Sequence, residues 1–115
     1  MTAAADMQLL RIHIGEDDHY AGRPLHAEIV DRCRAAGVEL AVVYRGIEGF
    51  GASTRIHRRG FWGRSQDAPI VVTILATAAQ AATLQPQLSE IVDEGLIATS
   101  AAAETWFFGA GPAAC

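Results

Sequence analysis

The residues best equipped for chemistry lie in one mid-chain stretch, Tyr44 to Gln66. It carries five of the nine arginines (Arg45, Arg55, Arg58, Arg59 and Arg64) against one acid, Glu48. Its formal charge is therefore +4 in a chain whose net charge is −4, which leaves −8 for the remainder. A cationic segment on an acidic body is suited to meeting an anion. Every cation in the chain is arginine and none is lysine. The planar guanidinium is the better bidentate partner for phosphate or carboxylate. Arg55, His57, Arg58 and Arg59 could clamp such a group, with Arg45 at the start of the stretch. Gly46, Gly49 and Gly51 would let backbone N–H groups come close to a phosphate. Their spacing is neither the dinucleotide fingerprint nor a P-loop, and sharp turns at a loop root would explain it equally well. A solvated surface loop is the bland alternative.

Other candidate groups carry less. Glu16, Asp17 and Asp18 are adjacent acids. They could bind a divalent cation through oxygen, but three neighbours in sequence converge on one ion only within a tight turn. Two other roles suit them better: capping the helix expected from Pro24, and pairing with arginines of a neighbouring subunit's loop. His13, His19, His26 and His57 stand at no metal-ligand spacing. Ser53, Thr54 and His57 lie close together, but no acid orients the histidine and no nucleophile motif is present, so no enzyme is expected. Nucleic acid is a rival partner for arginines interleaved with Phe61 and Trp62. The acidic body would repel a long polyanion, so a small anion or a protein groove suits the charge pattern better.

The elements that must position these groups follow from periodicity. The 115 residues, half of them apolar, fit one globular domain with one core. No apolar run is long enough to span a membrane. The start lacks the basic and apolar regions of a signal peptide. Cys33 and Cys115 form no redox or metal motif, so a reduced, cytoplasmic protein is expected. Residues 1–6 are Ala-rich and read as frayed. Met7 to Ile14 alternates as a strand, with Leu10, Ile12 and Ile14 on one face and Arg11 and His13 on the other. Pro24 fits a helix start, Leu25, Ile29, Val30, Cys33 and Ala36 its apolar stripe, and Gly37 its left-handed end. Val38–Tyr44 and Ile70–Leu75 read as strands, the second buried on both faces. Thr77 with Gln80 fits a capping box opening a second helix. Pro86 is expected to kink or split that helix near Gln85. Leu96–Ala101 reads as a weak last strand. The tail from Glu104 shows no regular element, and Trp106, Phe107 and Phe108 are expected to dock on the sheet or on another subunit.

Strand, helix, strand, long loop, strand, helix, strand is the order of a ferredoxin-like βαββαβ sandwich: an α+β fold with four antiparallel strands and two helices on one face. Its other face would be half apolar and open, which argues for oligomerisation.

The motifs Ile14-Gly15-Glu16-Asp17-Asp18, Gly22-Arg23-Pro24-Leu25, Arg45-Gly46-Ile47-Glu48-Gly49-Phe50-Gly51-Ala52-Ser53 running into Arg55-Ile56-His57, and Glu94-Gly95-Leu96 resemble those of domain of unknown function 190, a PII-like family related to the nitrogen-regulatory PII proteins. The resemblance covers roughly residues 7–100. It implies a homotrimer with its sheets turned inward and a T-loop between the second and third strands. It also implies an adenine nucleotide in the clefts between subunits, and docking of the loop on a partner such as a membrane transporter or channel. Carried over by position, Arg45 and Gly46 stand at the loop base, and Arg55 to Arg59 in its body. The chain departs from the PII pattern before the last strand. There Val92-Asp93-Glu94-Gly95-Leu96 is acidic with one glycine, and no Arg or Lys follows Arg64. Acids at a phosphate site repel the ligand, so Arg45, Arg55, Arg58 and Arg59 would have to supply the charge for any nucleotide.

Overall fold

A computed structural model describes residues 2–4, 6–50 and 67–109. Four strands make the main sheet: β2 (Met7–Gly15), β5 (Leu40–Arg45), β6 (Pro69–Thr77) and β7 (Leu96–Ala102), ordered β5-β6-β2-β7 and antiparallel throughout. Helices α1 (Leu25–Ala36) and α2 (Ala78–Ile91) cover one face. This is the ferredoxin-like α+β sandwich that the order of elements predicts.

The alternation in β2 and β6 aims Leu10, Ile12, Ile14, Ile70, Val72, Ile74 and Ala76 at the helices, where Leu25, Ile29, Cys33, Ala81, Leu84, Leu88 and Ile91 meet them in one core. Most of these side chains are fully buried, each contributing about 1.5–3 kcal/mol relative to exposure. The register sets out the opposite face in rows: Leu40, Leu75, Leu9 and Ser100; Val42, Thr73, Arg11 and Ala98; Tyr44, Val71, His13 and Leu96. Leu40, Tyr44 and Leu96 are large, apolar and about half exposed. Only β6 and β2 lie inside the sheet. β6 is buried on its helix face alone, its other side chains being partly exposed.

The helix ends follow local chemistry. Gly37 caps α1 at φ 79°, its N–H donating to the Arg34 carbonyl. Thr77 and Gln80 form both halves of a capping box on α2, at 2.9 and 3.1 Å. At the start of α1, Pro24 is the N-cap and makes no side-chain bond. The Leu25 N–H donates instead to the main-chain carbonyl of Asp18. The Asp18 carboxylate accepts the Gly15 N–H at 3.0 Å.

Of the kink or split expected at Pro86, the split does not occur: α2 runs unbroken from Ala78 to Ile91. Pro86 and Ala82 are both exposed, so the carbonyl that loses its partner can turn to water. Near the chain ends, the described residues include two short strands where no regular element is expected. β1 (Thr2–Ala4) pairs antiparallel with β8 (Thr105–Phe107) in a two-stranded ribbon that continues the β2–β7 pair past Met7 and Ala102. Between β2 and α1, β3 (His19–Tyr20) and β4 (Arg23–Pro24) form a small hairpin. Its two turn residues, Ala21 and Gly22, both have positive φ, at 53° and 81°. Arg23 bridges Glu28 and Asp31 at 2.8 Å each, which ties this hairpin to α1, and within the helix Arg32 bonds Glu28 at 2.9 Å. The hydrogen bond to Asp31 and the charge of Glu28 hold the Arg23 guanidinium above its ordinary range.

Candidate functional site

The root of the arginine-rich segment is built on Pro69. Proline donates no hydrogen bond, and inside a sheet it is tolerated at the first residue of a strand. Pro69 opens β6, an inner strand, and its neighbours on both sides are glycine. Gly15 pairs with it from β2, and from the β5 side Gly46 donates to its carbonyl at 2.7 Å. A Cβ on Gly46 would lie 2.7 Å from the Pro69 ring. Gly49, at φ 153°, holds a backbone shape that side chains disfavour. The root glycines thus serve sheet packing. The Gly46 N–H, counted from sequence among those free to approach a phosphate, is spent on the ladder.

The turn Gly15–Asp18 grips both ends of the segment. The Glu16 N–H donates to the Ala68 carbonyl at 2.8 Å, and the Asp17 N–H to Asp67 Oδ1 at 3.0 Å. Gly15 packs so closely on the Asp67 carboxylate that a Cβ would displace it. The Glu16 carboxylate reaches across to Arg45, Oε2 to Nε, at 3.1 Å. Of the three adjacent acids, Glu16 thus bonds Arg45 and Asp18 bonds the Gly15 N–H through their carboxylates, while Asp17 is bonded through its backbone. Asp67 and Pro69 organise this root. Nothing in a single sequence ties Asp67 to a turn fifty residues away.

Arg45 is half exposed, and Glu16 takes only its Nε. Among the described residues its two terminal nitrogens have no partner. That leaves the bidentate edge of the guanidinium open to an oxyanion. Next along the chain, Ile47 and Phe50 are 90 % and 82 % exposed. Gly51, Arg55, His57, Arg58 and Arg59 lie outside the described residues.

On the other side of the same turn, Asp17, Asp18, His19, Asp93 and Glu94 line a cavity of about 410 Å³ between Leu25 of α1 and Ile91 of α2. The acidic segment before β7 thus faces other acids. Gly95 within it, at φ 145°, lies against the His13 carbonyl of β2 with no room for a Cβ. Among the described residues, no three His, Cys, Asp or Glu are gathered to hold a metal ion. No helix of the described residues is long and apolar enough to cross a membrane. Trp106 and Phe107 lie apart from this root, on β8; Trp106 is about half exposed, and its Nε1–H donates to Glu104 at 3.2 Å.

Comparison with known proteins agrees with the motifs. A UPF0166 protein of Aquifex aeolicus (strain VF5) is 32% identical over 68 residues, 59% of this chain and 65% of that protein. The match thus spans just under two thirds of the relative's length. The family described as "Uncharacterized ACR" matches residues 7–103, which takes in the whole main sheet, both helices and the root described above. This chain therefore belongs to that family, DUF190.

Proposed function

We propose that this protein is a regulatory module that binds a small anionic metabolite at the root of its arginine-rich segment and thereby controls a partner protein. The observation that carries the reading is Arg45: half exposed, with a bidentate edge that has no partner among the described residues, at the start of a segment of formal charge +4. An adenine nucleotide is the ligand to try first, with Arg55, Arg58 and Arg59 supplying further charge. The acidic cavity formed by Asp17, Asp18, Asp93 and Glu94 disfavours a triphosphate on that side of the turn. Any phosphate group is therefore held on the Arg45 side. No reaction is assigned, because the described residues offer no nucleophile paired with a base. The half-exposed apolar face of the sheet supports a homo-oligomer, a trimer in this reading, acting in the cytoplasm. Titration calorimetry with AMP, ADP and ATP tests the ligand. Binding that Arg45→Ala weakens supports the reading, and silence from all three removes it.

A second reading rests on Ile47 and Phe50. Two large apolar side chains held almost wholly in water fit a docking surface that needs no ligand. Pull-down with residues 52–64 deleted and Ile47 and Phe50 replaced by serine, with and without nucleotide, separates the two. Under this second reading, capture depends on the two apolar residues and is indifferent to nucleotide.

A further inference from the structure

We propose that Glu16 is a built-in counter-anion that competes with the ligand for Arg45, so that the site rejects weakly charged anions. The inference rests on the anion-binding reading above. The backbone places Glu16, not its own side chain. Its N–H donates to Ala68, the next N–H to Asp67, and the Asp18 carboxylate accepts the Gly15 N–H. The carboxylate is thus presented to Arg45 by a turn that does not depend on it.

The contact is the kind that a ligand can overcome. Both side chains are substantially exposed, at 50% and 36%, and they share one hydrogen bond of 3.1 Å. Exposed pairs of this sort are weak and screened by salt. While the pair holds, Glu16 cancels most of the field that Arg45 presents to an arriving anion. A ligand on the terminal nitrogens would also lie within a few ångströms of the Glu16 charge. Each unit of ligand charge meets that repulsion, so a monoanion gains little from Arg45 alone. An anion of higher charge, held on both terminal nitrogens against the single bond to Glu16, can pull the guanidinium away. Glu16 then sets a threshold, and Arg45 is released only to a ligand that outbids it.

The test is titration calorimetry of pyrophosphate and of ATP into the full chain at low ionic strength, with wild type, Glu16→Gln, Glu16→Ala, Arg45→Ala and the Glu16→Gln/Arg45→Ala double variant. Circular dichroism confirms that each variant is folded. Glutamine keeps an oxygen for Arg45 Nε and removes only the charge. Both Glu16 variants are expected to bind about three- to tenfold more tightly than wild type, the size of one charge–charge interaction across a wet surface. The gain disappears in the double variant and shrinks in 0.5 M salt (about 4 Å screening length). If Arg45→Ala weakens binding but Glu16→Gln does not strengthen it, the counter-anion is refuted and the anion site stands. If Glu16→Ala weakens binding, Glu16 positions Arg45, and the proposal is overturned in the same way. If Arg45→Ala changes nothing, or no variant binds either probe, the anion site fails and this inference fails with it.

Discussion

Gly95→Ala isolates the cost of holding the acidic segment against the sheet. The residue has φ 145°, a region open almost only to glycine, and its missing Cβ would overlap the main-chain oxygen of His13. The backbone term is about 1–3 kcal/mol. The steric term is added because the obstacle cannot move aside. His13 belongs to β2, which is bonded to β6 on one side and β7 on the other. Forcing an extra carbon into a packed contact costs about 1–3 kcal/mol. The sum is about 2–6 kcal/mol, less about 0.4–1 kcal/mol that alanine returns by stiffening the unfolded chain. Against a total stability of about 5–15 kcal/mol, this is a large fraction. Gly22→Ala is the control. Its φ is 81°, but a Cβ there meets nothing within 4 Å, so only the left-handed term of about 1–2 kcal/mol applies. Thermal and urea unfolding of both variants measure the difference. The midpoints of the two costs differ by about 2.5 kcal/mol, so Gly95→Ala is expected to melt about 10 °C below Gly22→Ala, taking about 4 °C per kcal/mol for a chain of this size. Equal melting temperatures would show that the contact with His13 is slack and that the reasoning from close approach is wrong.

Thr77→Ala removes the hydroxyl that accepts the Gln80 N–H, one half of the capping box, and is expected to cost about 1 kcal/mol in urea unfolding, while Thr77→Ser retains most of it. Burial pushes the Cys33 thiol from 9.0 up to about 11, so the folded state keeps a proton that the unfolded chain has lost. Stability is therefore full below pH 9 and falls between about pH 9 and 11 by about 1.4 kcal/mol per pH unit; Cys33→Ala removes this component of the alkaline slope. Tyr44→Asp, on the exposed sheet face, is expected to lower the mass measured by light scattering if that face joins copies, and to leave the melting temperature of the separated chains nearly unchanged.

What could be read in advance was what depends on near neighbours in sequence. Leu10, Ile12 and Ile14 mark their own face by alternation, Gly37 marks a helix end, and Thr77 with Gln80 marks a helix start. What escaped depends on distant pairing. Residues 2–4 and 105–107 are each too short and too uniform to declare a strand, and each becomes one only beside the other. The same holds at the site. Arg45 and Gly46 stood out by type and position. That Glu16 neutralises one and Pro69 consumes the other follows only from the fold. Pro86 misled in the opposite sense, because its cost depends on whether water can reach the freed carbonyl.

The use of Gly46 for sheet packing decides what kind of anion site this can be. A phosphate loop binds through a nest of backbone N–H groups, which are dipoles fixed at the moment of folding. Here the Gly46 N–H is committed to Pro69 and the Glu16 N–H to Ala68, so in the proposed function recognition falls to guanidinium groups. Point charges on long exposed side chains act through a field that salt screens within about 8–10 Å. The body bearing them is itself negative, so the attraction is local. Pyrophosphate binding should therefore fall steeply between 50 mM and 300 mM salt. A nest of neutral donors would lose far less over that range, because its attraction comes from short fixed dipoles. Affinity that is flat across the salt series would mean that backbone groups do the binding, and the role given to Arg45 would have to be abandoned.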